Sequence, residues 1–233
     1  MAGTEREIGR GREASVWRYG ERALRIPYDA ITPYKKAIRD LKEHPNVVRI
    51  LAIDDTTGVM HLEYLTGRSL AATLQDRKPC PALAVQCICH ILRGMEHLHS
   101  SDIVHGDLSC HNVMVSPEGL KIIDFYGERP TLGSPVYMAP EVVRLGRVSK
   151  SSDVWAAAVV MLMLEGLQPW RHFELQHLLF HLASHPAAIH GPPEGEAADV
   201  FLDAVRLVFQ EEGARCSLAQ VLRSAEDLAL RIG

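Results

Sequence analysis

His105-Gly106-Asp107-Leu108-Ser109-Cys110-His111-Asn112 places a carboxylate and a carboxamide five residues apart, and Ile122-Ile123-Asp124-Phe125 adds a second carboxylate twelve residues beyond the amide. An acid can accept the proton of an attacking hydroxyl, while an amide oxygen and a carboxylate oxygen are the hard ligands that Mg²⁺ prefers. Together they suit phosphoryl transfer. Asp107 is the candidate base, and Asn112 and Asp124 are the candidate metal ligands. An acid and an amide at this spacing also close ordinary turns, but the apolar strand leading to Asp124-Phe125 favours the chemical reading.

Such groups need a loop held between regular elements. The 3.6-residue apolar period predicts a helix over 82–100, and alternation around Pro117-Glu118-Gly119 predicts a hairpin of 113–115 with 120–123. Asp107 and Asn112 therefore sit on the connection, with Asp124 just past the second strand. Upstream, Ile8-Gly9-Arg10-Gly11 followed by a β-prone segment predicts strand, glycine turn and returning strand, and Ala23-Leu24-Arg25-Ile26 a third strand stopped by Pro27. A helix is expected over 34–41, with Tyr34, Ile38 and Leu41 on one face, then strands over 47–53 and 59–64. Beyond Gly67 the pattern turns helical, with helices expected over 152–165, 174–184, 197–209 and 217–230.

Composition narrows the setting. The 233 residues are 47% hydrophobic, enough for one large domain or two small lobes. A net charge of -4 offers no basic field for nucleic acid. The longest apolar run, 154–164, falls short of a membrane span and reads as a buried helix. Residues 1–12 are polar, unlike a secretory leader, and five cysteines without a Cys-x-x-Cys pair read as reduced thiols with no disulfides. The expected location is the cytoplasm, or the nucleus.

The chain resembles the eukaryotic protein kinase domain from Ile8 to Ala229. That resemblance implies an α+β, two-lobed fold, a small β-rich lobe over 1–65 and a larger helical lobe over 66–233, with ATP and Mg²⁺ in the cleft. Ile8, Gly9, Gly11 and Val16 match the glycine-rich loop over the phosphates, with Ala14 in its third glycine's place. Glu63-Tyr64-Leu65 looks like the hinge that meets adenine through its backbone, which makes Leu62 the gatekeeper. Ala139-Pro140-Glu141 and the preceding 133–138 are similar to the segment that receives a peptide, and Ser152-Asp153-Val154-Trp155 to the start of the large buried helix. Arg215 stands where the family's arginine pairs with that glutamate.

Several positions depart from the pattern. Arg25 stands where the family has the lysine that contacts the α- and β-phosphates, and a planar guanidinium does not reproduce a point charge. The acidic partner of that lysine is missing, its aligned position falling on Lys35 or Tyr34; Lys35 is an alternative phosphate contact. Gly106 replaces an arginine that reads a phosphorylated loop, Ser109 a lysine that neutralises the transferred group, and Tyr126 the glycine after Asp-Phe, with Gly127 next in line as hinge. The resemblance thus implies a Ser/Thr phosphotransferase of reduced activity acting on a protein. A pseudokinase that binds nucleotide and a protein partner competes with it. Small-molecule kinases also carry His-Gly-Asp, but the peptide-presenting segment argues against that class.

Other constellations have plainer readings. His177, His181 and His185 share a helix face without accompanying carboxylates, and read as a solvated stripe rather than a metal site. Cys87, Cys89, Trp155 and Trp170 read as packing residues, and Arg10 and Arg12 as surface charge or as additional charge near phosphates.

Overall fold

The structure, a computed structural model, describes residues 5–11, 13–28, 36–125, 135–167, 174–184, 205 and 207–232. Five antiparallel strands form the upper lobe: β1 Arg6–Arg10, β2 Ala14–Tyr19, β3 Arg22–Pro27, β4 Ile50–Ile53 and β5 Met60–Glu63. Their order is β1-β2-β3-β5-β4. Register decides which side chains face inward: Ala23 stands opposite Leu62 and Arg25 opposite Met60, so all four lie on the buried face. A single cationic side chain is thereby built into an apolar surface.

Helix α1 is one turn, Lys36–Arg39, with Ile38 buried and Leu41 packed against the core. The expected helix over 34–41 is shorter within the described residues, and Tyr34 and Lys35 lie outside them. The strand expected over 47–53 is also shortened. Residues 46–48 pair elsewhere: Val48 donates to the Ile122 carbonyl at 2.9 Å and Ile122 donates to that of Asn46 at 2.9 Å, a seam that joins the lobes.

The lower lobe contains β6 Arg68–Ser69, α2 Leu70–Asp76, α3 Pro81–Ser100, β7 Val113–Ser116 and β8 Gly119–Ile122, then α4 Pro140–Leu145, α5 Lys150–Leu164, α6 Leu175–Ser184 and α7 Leu218–Ile232. The pattern had not singled out α2 or α4, although both carry start signals, the Ser69 cap and Pro140 at the first turn. Helix α3 opens on Pro81 and buries Val85, Ile88, Leu92 and Met95 at helical spacing, against α5, α7 and β8. Gly94 permits the close approach to the seam, since a Cβ there would lie 2.8 Å from both the Asn46 carbonyl oxygen and Ile122 Cδ1. Helix α5 is buried around its circumference and starts with a reciprocal Ser149/Ser152 capping box. Trp155 is fully buried within it, while Trp170 lies outside the described residues. Cys89 is buried and Cys87 half-buried, its thiol pushed up to about 11 by burial. All five cysteines are free. Among the described residues no helix is long and apolar enough to cross a membrane, and most of the helix expected over 197–209 lies outside them.

Candidate active site

A buried carboxylate shapes the loop after α3. Asp153, on the first turns of α5, accepts the backbone N–H groups of His105 and Gly106, each at 2.9 Å, and His99 Nε2 lies 2.8 Å from it. The loop turns at Gly106 with φ +78°, a left-handed backbone that glycine adopts without strain. A Cβ there would also press to 3.4 Å from Val148. The arginine that the family pattern carries at this position is therefore disfavoured by the backbone itself.

Asp107 follows, its N–H donating to His105 Nδ1 at 3.3 Å. Asn112 Nδ2 donates to the Asp107 carbonyl at 2.8 Å and lies 3.4 Å from Asp107 Oδ2. With its amide nitrogen so engaged, Asn112 turns its oxygen to the other side. The Asn112 carbonyl accepts from Ile123 N–H at 3.0 Å, which ties this loop to the end of β8 that carries Asp124. Asp124 itself has φ +60°, sparsely populated for a non-glycine residue, and its side chain is 51% exposed. Phe125 is buried behind it, edge-on to the His105 ring at 6.5 Å. The three residues singled out by spacing thus gather on one edge, and their oxygen set suits Mg²⁺. Of the two residues that hold this edge in place, His99 carried no signal in the sequence, and Asp153 was matched there only as part of the start of the buried helix.

The upper lobe supplies the opposite side. Gly11 N–H donates to Ala14 O at 2.9 Å, closing the tight turn between β1 and β2, with Val16 half-buried beneath and Ile8 exposed. The Arg25 side chain is 9% exposed, with Nε 3.4 Å from Asp124 Oδ1 and an Nη atom 3.8 Å from Glu13 Oε2. Arg10 is held by Glu7 through two hydrogen bonds, and Arg12 lies outside the described residues. In the segment expected to be the hinge, Leu62 is buried and Leu65 packs against the core. Glu63 N–H is committed to Arg49 O at 3.0 Å, while its carboxylate accepts Arg49 N–H and Lys121 Nζ. Glu63 therefore also bridges the lobes, a role its sequence neighbours did not signal.

On the far side of Asp107, a pocket of about 20 Å³ is lined by Asp107, Leu108, Tyr137, Met138 and Val142 among others. The Tyr137 hydroxyl accepts Cys110 N–H at 3.4 Å, joining this segment to the loop. Arg215 closes on Glu141 through two hydrogen bonds of 2.6 and 3.1 Å. Tyr126, Gly127, Thr131 and Ser134 lie outside the described residues, as do His185 and the side chain of His181; His177 is exposed. Among the described residues, no three His, Cys, Asp or Glu side chains come together as a metal site.

The sequence pattern of the family described as "Protein kinase domain" matches residues 34–223. Mitogen-activated protein kinase kinase kinase 2 of Arabidopsis thaliana is 28% identical over 210 residues, 81% of this chain and 31% of that protein. Probable serine/threonine-protein kinase mkcD of Dictyostelium discoideum is 32% identical over 151 residues, 59% of this chain and 23% of the relative. Mitogen-activated protein kinase kinase kinase ANP1 of Arabidopsis thaliana is 32% identical over 153 residues, 58% and 23% respectively. The chain spans about a quarter to a third of the length of these curated relatives.

Proposed function

The chain belongs to the protein kinase domain family, and from that premise we propose that it transfers the γ-phosphoryl group of ATP to a serine or threonine of a protein, at reduced rate. The observation that carries the reading is the convergence of Asp107, Asn112 and Asp124 on one edge of the cleft, joined through the Asn112 side chain and the Ile123 N–H. Asp107 accepts the proton of the acceptor hydroxyl as it attacks. Asn112 and Asp124 would hold Mg²⁺, which when bound would neutralise charge on the phosphates. The turn around Gly9 and Gly11 covers the triphosphate, with Arg25 as its cation and the Glu63–Leu65 backbone beside the base. The acceptor peptide lies along the Tyr137–Glu141 segment, next to Asp107. Serine or threonine is favoured by the name of the Dictyostelium discoideum relative, a probable serine/threonine-protein kinase.

Purified chain with Mg·ATP and a generic protein acceptor tests this. Phosphate transfer that disappears in Asp107→Ala is the expected result, and its persistence in that variant refutes the assigned base. The contact of Arg25 with Asp124 favours a second reading, since it neutralises the carboxylate that must meet the metal. A nucleotide-binding pseudokinase gives no transfer but is stabilised thermally by Mg·ATP. Arg25→Lys separates the cost of the guanidinium from the rest: transfer should rise, and no gain means that the arginine is not what limits the rate.

A further inference from the structure

We propose that Glu13, on the glycine-rich turn, is the positioning residue that holds the Arg25 guanidinium for the nucleotide phosphates, in place of a carboxylate from α1. The inference rests on the nucleotide-binding reading of the cleft. A cation that is 9% exposed needs negative charge nearby, because desolvation of an uncompensated charge is costly. The helical residues Lys36–Arg39 carry no carboxylate, and Asp40 beyond them lies 3.9 Å from Lys36. Among the described residues, Asp124 reaches Arg25 at 3.4 Å and Glu13 at 3.8 Å. Asp124 is also the metal ligand of the proposed reaction, so once it turns to Mg²⁺ its claim on Arg25 weakens. Glu13, which is no metal ligand in that reaction, keeps its hold on the guanidinium across that exchange.

The backbone fixes Glu13 for this task. Its carbonyl accepts Tyr28 N–H at 2.9 Å, and the next residue, Ala14, pairs with Pro27 at the end of the strand that carries Arg25. Glu13 and Arg25 are thus held together by sheet register, independently of where α1 lies. A guanidinium has five donors in a planar fork, so it can keep a carboxylate at one edge while others meet phosphate oxygens.

The experiment measures binding of ADP, with and without Mg²⁺, by calorimetry on four proteins: wild type, Glu13→Gln, Arg25→Met and the double variant. Arg25→Gln serves as the background should Arg25→Met fail to fold. Glu13→Gln is expected to weaken Mg·ADP binding about three- to fivefold, the scale of a half-exposed ion pair. It should also raise the free Mg²⁺ needed for half-maximal binding, because Arg25 then settles on Asp124. In the Arg25→Met background the Glu13 substitution should add nothing. Wild type that binds Mg·ADP, with Glu13→Gln binding equally or more tightly, overturns this inference alone. So does an equal weakening in the Arg25→Met background. Wild type that does not bind Mg·ADP overturns the nucleotide reading and this role with it.

Discussion

Replacing Glu141 with alanine removes one half of a charge pair whose side chains are 3% and 0% exposed. The two carboxylate oxygens lie 2.6 and 3.1 Å from separate Arg215 nitrogens, a bidentate geometry that an exposed pair seldom holds. Breaking a buried pair on one side costs about 3 to 5 kcal/mol, because the remaining charge is stranded. Arg215 is not left without acceptors, however. Nε donates to Val208 O at 3.1 Å, one Nη to Ser151 O at 2.8 Å and the other to Gln210 O at 3.2 Å, with the Trp155 ring 5.0 Å from the guanidinium carbon. With Ser151 Oγ at 3.1 Å from the first Nη, four of its five N–H groups keep an acceptor, so the loss is mainly of net charge, which places the cost near the lower bound, about 3 kcal/mol. For a chain of this size each kcal/mol moves the melting temperature by about 2–4 °C, so Glu141→Ala should melt about 6–12 °C below wild type. Thermal unfolding followed by circular dichroism measures this, and the difference should persist at 0.5 M NaCl because a buried pair is little screened. The double variant Glu141→Leu/Arg215→Met should lose less than the sum of its singles. A drop below about 2 °C, or additive singles, refutes the reasoning.

Other consequences can be checked the same way. Gly94→Ala forces a methyl group against the Asn46 carbonyl and Ile122 and should cost about 1–3 kcal/mol in urea unfolding; an unchanged midpoint means the seam can shift freely. Asp153→Asn replaces a carboxylate that accepts two loop N–H groups with a group that is half donor. Phosphate transfer should fall at least tenfold while Mg·ADP affinity changes less, and a normal rate means that Asp153 does not position Asp107. His44 stacks on His97 at 4.8 Å, and burial, with the neighbouring His97, holds its imidazole below the usual range. An unfolded chain therefore takes up this proton first, so stability contributed by neutral His44 is lost as pH falls below about 6.5. His44→Phe should flatten the fall in melting temperature between pH 7.5 and 5.5, and an unchanged slope assigns it to other groups.

Local patterns were legible wherever a signal repeats along the chain. The strands around Gly9 and Gly11, the hairpin 113–122 and helix α3 follow from period and turn chemistry, and Asp107, Asn112 and Asp124 from spacing. Elements whose partner lies far away were misjudged in extent. Val47 and Val48 read as the start of a strand, yet Val48 and the adjacent Asn46 bond to Ile122 in the other lobe, because a β-prone segment pairs with whichever edge the fold presents. The short helices α2 and α4 escaped because six or seven residues span too few turns to establish a period.

The longer elements, the acid, the amide and the second acid could be read from stretches of a dozen or so residues, and motifs spread along the chain carried the family. Which groups they meet was fixed by packing. Glu13 and Asp124 flank Arg25 although the latter is 99 residues away from it. Asp153 holds a loop 47 and 48 residues upstream, and Lys121 answers Glu63 across the lobes. For these pairs no local pattern along the chain names the partner. That is settled by sheet register and by the packing of one lobe on the other, which bring groups within 4 Å and exclude the water that would otherwise make their pairing indifferent.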